Sequence, residues 1–96
     1  MAARADVSTL ALGEIRGVSP SRCVVRTDAG VLAFERRCPH AGADLSFGRL
    51  TDGKLRCPWH NLPFDPATGR QPCRSIRDLA VFPVRTVAPG IIEIED

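Results

Sequence analysis

Two short clusters of thiol and imidazole side chains hold the chemistry open to this chain: Cys38-Pro39-His40 and, sixteen residues later, Cys57-Pro58-Trp59-His60. Each joins one cysteine to one histidine, and the chain's 2 histidines both fall inside the pattern. A matched pair of Cys/His clips suits either a zinc ion or an iron–sulfur centre with mixed ligands. Cys23 and Cys73 read as ordinary half-buried residues. A ring of four cysteines would leave both histidines without a role.

The elements that must position these clips read as all-β. Cys23–Thr27 and Val31–Glu35 flank the Gly-containing Asp28-Ala29-Gly30, which predicts a hairpin. Thr51-Asp52-Gly53 predicts a turn into Lys54–Cys57, and Asp65-Pro66-Ala67-Thr68-Gly69 predicts another. Leu79–Arg85, Val87-Ala88-Pro89-Gly90 and Ile91–Glu95 read as strand, turn and strand, with one wet face on Ile92-Glu93-Ile94-Glu95. Eight Pro and eight Gly leave no window for a helix of ordinary length, and Ala41–Leu45 has room for one turn at most. Both clips then fall in connections between strands, stiffened by Pro39 and Pro58, with Gly42 permitting a tight backbone course.

Composition narrows the function classes. Ninety-six residues read as one domain, 1–96, with a thin core: four Phe, one Trp and no Tyr. A metal centre joining two loops would add stability to such a chain. The balance of 13 Lys+Arg against 11 Asp+Glu, with no basic block, argues against nucleic acid as a partner. The apolar stretch Val7–Leu12 is too short and too interrupted for a secretory signal, and no run suits a bilayer. A cytoplasmic location is therefore expected, where cysteines serve metal or redox chemistry rather than disulfides. Arg36, Arg37, Arg70, Arg74 and Arg77 read as a solvated surface, and Trp59 as packing around the metal site.

The stretches RCPHAGADL and CPWHNLPFDPATG resemble the Rieske [2Fe-2S] signature, Cys-X-His and Cys-X-X-His, as found in Rieske-type ferredoxins of bacterial ring-hydroxylating oxygenase systems. The resemblance runs roughly from Val24 to Ile94 and puts the cluster-binding part at about 36–73. It implies three small antiparallel sheets with a single [2Fe-2S] cluster held by two loops at one tip. It further implies that Cys38 and Cys57 bind one iron, and His40 and His60 the other.

Two thiolates and two neutral imidazoles leave the oxidised centre less negative than four thiolates would, which raises its potential. High-potential relatives carry Ser and Tyr after the second histidine and a disulfide between the loops. Here Leu62 and Phe64 stand at the hydroxyl positions, and Ala43 and Trp59 at the disulfide positions. The expected potential lies toward the bottom of the Rieske span of roughly −150 to +300 mV. No histidine is left for a second, mononuclear iron, and no glycine fingerprint for a nucleotide is present. The expected role is thus a one-electron carrier, not an enzyme, between an NAD(P)H-dependent flavin reductase and an oxygenase or other redox enzyme. A small subunit of a larger, nitrite-reductase-like enzyme and a zinc-stabilised interaction module are the alternatives.

Overall fold

In the computed structural model, which describes residues 3–59 and 61–95, ten short strands form three antiparallel sheets. The strands are β1 (Ala3–Asp6), β2 (Ile15–Ser19), β3 (Arg22–Thr27), β4 (Gly30–Glu35), β5 (Arg49–Thr51), β6 (Lys54–Arg56), β7 (Pro63–Phe64), β8 (Val81–Phe82), β9 (Val84–Ala88) and β10 (Ile91–Ile94). The sheets run β1-β10-β9, β2-β3-β4-β8 and β5-β6-β7. The all-β architecture of three small sheets matches the expectation from sequence. Among the described residues, no helix is long and apolar enough to cross a membrane.

The central sheet is covered on both faces. Cross-strand partners share a face, so Cys23↔Phe34 and Val25↔Leu32 point one way while Val24↔Ala33 point the other. Cys23, Val25 and Phe34 join Cys38, Ala43, Leu45, Leu55, Cys57, Phe64 and Leu79 in one apolar cluster. Val24 and Ala33 join Val7, Leu10, Ile92 and Ile94 in a second, under the terminal sheet. Phe34 and Phe64 are both fully buried, each a gain of roughly 1.5–3 kcal/mol over exposure. The thiol-bearing loops are therefore seated on the first core and are remote in role from the second.

Turn chemistry sets the register. Asp52 (φ 54°) and Gly53 (φ 75°) both take positive φ, the two-residue hairpin geometry that matches strand twist. Gly69 has φ 77°, and a Cβ there would run into the Leu79 carbonyl, so no larger residue fits. The same contact carries a hydrogen bond from the Leu79 N–H to the Gly69 carbonyl at 2.9 Å.

Several elements differ from the sequence reading. β1 and β2 lie in a stretch that shows no strand pattern: Ala3–Asp6 is a strand because β10 pairs with it residue by residue. The expected strand Leu79–Arg85 is divided at Pro83, which lacks an N–H for the ladder. Its first part, β8, pairs with β4, and its second, β9, with β10. Where Ala41–Leu45 had room for one turn at most, a single 3-10 turn lies further on, at Leu45–Phe47, capped by Asp44.

Candidate metal centre

The two clips sit in loops built on one plan. The Cys38 N–H donates to the Ala43 carbonyl at 2.9 Å, and the Cys57 N–H donates to the Leu62 carbonyl at 3.1 Å. In each loop the fourth residue after the cysteine has positive φ: Gly42 at 73° and Asn61 at 58°. A proline follows each cysteine, where no N–H is called for. Each loop is thus a closed six-residue bend that leaves its cysteine at the base and its next residues at the surface.

The bases of the two loops meet. Cys38 and Cys57 are each 2% exposed, and both belong to the same apolar cluster. Burial pushes the Cys57 thiol up to about 11, and its hydrogen bond with Cys38 adds to the rise; the Trp59 N–H works the other way. All four cysteines are free thiols. Cys38 and Cys57 thus form a buried pair of thiols at the loop bases. It is a good donor set for a soft metal, whose binding would offset the cost of deprotonation.

His40 is exposed on the first loop, while His60 lies outside the described residues. Among the described residues no three His, Cys, Asp or Glu side chains converge on one point. The thiol pair is the part of the expected ligand set that is brought together.

The first loop is locked by a network that sequence reasoning placed on the surface. Arg36 donates to Asp44 at 3.0 Å, to the Ser19 carbonyl at 3.0 Å and to the Ser46 hydroxyl at 3.5 Å. Its guanidinium lies over Gly17, filling the space of a side chain there. Asp44 also accepts from the Ser46 N–H and hydroxyl. Arg36 beside it, and then Ser46, hold the Asp44 carboxyl at about 2 against the opposing effect of burial. Beneath this network Cys23 is fully buried rather than half-buried, and burial pushes its thiol up to about 12. It belongs to the core.

A second clasp holds the segment after β7. Arg77 donates twice to Glu35, at 2.7 and 2.8 Å, and Glu35 accepts from the Ala80 N–H at 2.6 Å. Burial raises the Glu35 carboxyl, yet Arg77 and Ala80 together keep it below its ordinary value. Gln71 pins the same segment from within, bonding the N–H of Cys73 and the carbonyls of Cys73 and Ile76. Arg36 is thus a partly buried ion pair, whereas Arg77, though paired, is exposed as expected, as are Arg37, Arg70 and Arg74. Trp59 departs from its expected role: it is 54% exposed, because the bend at Pro58–Trp59 turns outward. Cys73 is partly buried, with its thiol near the Ser75 hydroxyl at 3.3 Å.

The profile of the Rieske [2Fe-2S] domain matches residues 2–83. The vanillate O-demethylase oxygenase subunit of a Pseudomonas strain is 42% identical over 71 residues, which are 72% of this chain and 21% of that protein. The anthranilate 1,2-dioxygenase ferredoxin subunit of Burkholderia cepacia is 35% identical over 72 residues, 74% of this chain and 66% of that one. The chain thus spans about a fifth of the oxygenase subunit and about two thirds of the ferredoxin subunit.

Among solved structures, the Sphingomonas yanoikuyae B1 ferredoxin superposes with a TM-score of 0.81 at 27% identity, over 95% of this chain and 93% of that one. A ferredoxin-and-oxygenase complex of carbazole 1,9a-dioxygenase contains a chain matching with a TM-score of 0.78 at 28% identity, covering 94% of this chain and 96% of that one. A Mycobacterium tuberculosis protein titled a putative NADH-dependent nitrite reductase small subunit gives 0.80 at 25%, over 98% and 93%. By its match over residues 2–83 and its three-sheet fold, this chain belongs to the Rieske [2Fe-2S] domain family, whose cofactor is a [2Fe-2S] cluster.

Proposed function

We propose that the protein is a low-potential Rieske-type ferredoxin, a one-electron carrier from an NAD(P)H-dependent flavin reductase to an oxygenase or another redox enzyme. The observation that carries this reading is the burial of Cys38 and Cys57 in one apolar cluster at the bases of two matched loops. In this proposal Cys38 and Cys57 hold one iron, and His40 and His60 the other. The cluster these residues would hold would supply one-electron redox chemistry at a potential set by its mixed ligands. The chain's own residues do the rest. The loops keep the two thiolates out of water, Gly42 and Asn61 turn the backbone back to the core, and Asp44 and Arg36 fix the first loop to β2.

Leu62 and Phe64 supply no hydroxyl, and both pack on the apolar cluster under the site. A cluster with fewer hydrogen bonds to its sulfurs is harder to reduce, which favours a low potential. Such a carrier suits a reductase drawing on NAD(P)H and working in the cytoplasm. The protein has no second metal site of its own in this reading, so it carries electrons and is not itself the catalyst.

The test is the EPR spectrum of dithionite-reduced protein with iron and sulfide counts. The expected result is a Rieske-type signal with two irons and two sulfides per chain. Colourless protein holding one zinc would overturn the proposal.

A second reading has its own support. The likeness to the chain titled a nitrite reductase small subunit covers nearly all of both proteins. In that reading the same cluster serves as a fixed subunit of a larger reductase. Stable co-purification with a large siroheme-type partner would favour it over the free carrier.

A further inference from the structure

The hairpin of β5 and β6 carries three cations, Arg49, Lys54 and Arg56, against one acid, Asp52 in its turn. Its register sets Arg49 opposite Arg56 and Thr51 opposite Lys54, with Leu50 opposite Leu55 between them. Leu55 is fully buried and Leu50 packs on the same core. Strand alternation therefore turns all three cations to the outer face.

Like charges directly opposite one another across an antiparallel pair repel. Five of the other arginines are neutralised: Arg4 and Arg85 share Glu93, and Arg16, Arg36 and Arg77 pair with Glu14, Asp44 and Glu35. Among the described residues, no carboxylate pairs with Arg49 or Arg56. Arg56 reaches only the Asn61 carbonyl, at 3.5 Å.

An open groove of about 320 Å³ lies beside this pair, bounded by Phe47, Arg49, Arg56, Cys57, Pro58 and Asn61. Phe47 is 78% exposed at its edge, and Trp59, in the same loop as Cys57, is 54% exposed. An exposed aromatic beside two arginines has the composition of an interface centre rather than of an idle surface. The two unneutralised charges specify the sign of what covers them.

Resting on the carrier reading above, we propose that this outer face docks an acidic patch of a protein redox partner. The partner's carboxylates would seat against Arg49 and Arg56, and its apolar side chains against Phe47. A partner so placed lies against the loop that presents Cys57, which shortens the path for an electron. Its approach would be steered by charge, with rate gains of roughly 10–1,000-fold that fall steeply with salt.

The experiment is stopped-flow oxidation of the reduced, cluster-loaded protein by two haem proteins of opposite charge, acidic cytochrome b5 and basic cytochrome c. In each case one electron passes to ferric haem. At low ionic strength the Arg49→Gln/Arg56→Gln variant is expected to lower the second-order rate with cytochrome b5 tenfold or more and to raise that with cytochrome c. Arg4→Gln/Arg85→Gln removes the same number of charges from the terminal sheet and is expected to change either rate less than threefold.

An unchanged visible and EPR spectrum in each variant certifies the fold. Equal cytochrome b5 rates in wild type and Arg49→Gln/Arg56→Gln would overturn the docking proposal. So would an equal loss in Arg4→Gln/Arg85→Gln. Failure of wild type to reduce either haem protein would instead overturn the carrier reading, and the docking proposal with it.

Discussion

Replacing Asp44 separates the charge that holds the first loop from the cap that ends it. Its carboxylate accepts from Arg36 at 3.0 Å and from the Ser46 N–H at 2.9 Å. Asp44→Asn keeps an acceptor for Ser46 but removes the charge; Asp44→Ala removes both. The Arg36 and Asp44 side chains are 29% and 36% exposed, so solvent screens the pair and the charge contributes about 0.5–1 kcal/mol. The cap adds about 1 kcal/mol. In a domain of this size 1 kcal/mol shifts Tm by roughly 4–8 °C. Asp44→Asn should then lower Tm by roughly 2–8 °C and Asp44→Ala by roughly 6–16 °C.

The pH dependence follows from the carboxyl's depressed value. A group held at about 2 contributes its stability in full above the ordinary carboxylate range, and loses it only as pH falls through the folded value. Between pH 5 and 8 the gap between wild type and either variant should therefore be flat. Thermal unfolding of the cluster-loaded protein, followed by circular dichroism across that range, measures it. An Asp44→Ala loss under about 2 °C, or a gap that changes between pH 5 and 8, would refute the reasoning.

Three other substitutions address separate features. His60→Ala should abolish the Rieske-type EPR signal, and a spectrum unchanged from wild type would remove His60 from the ligand set. Leu62→Ser with Phe64→Tyr should raise the midpoint potential by supplying hydroxyl donors; voltammetry showing no rise would mean these positions do not tune the centre. Gly69→Ala meets both a positive φ and the Leu79 carbonyl, and should cost about 2–3 kcal/mol, read as a fall in Tm. An unchanged Tm would show that the turn relaxes freely.

Local patterns made much of the fold legible. The β3–β4 hairpin and the turn into β6 announce themselves by their turn residues, Asp28-Ala29-Gly30 and Asp52-Gly53. β1 did not announce itself, since nothing in Ala-Arg-Ala-Asp prefers a strand until β10 offers it a ladder. The division at Pro83 was equally hidden, because a proline tells where a ladder fails but not which sheet receives each half.

The site divides in the same way. Cys38, His40, Cys57 and His60 stand out by residue type and spacing alone, because few chemistries place thiol and imidazole so close twice. That spacing also carried the family, and with it the cluster. Whether two thiols meet depends on long-range packing, here the seating of both loops on the core around Phe34 and Phe64. Charge pairing is likewise a property of the folded chain: Arg36 and Arg77 look like surface in one dimension and are engaged in three. Arg49 and Arg56, seven residues apart and unremarked in the sequence, face each other without a carboxylate only because a two-residue turn folds one strand back upon the other.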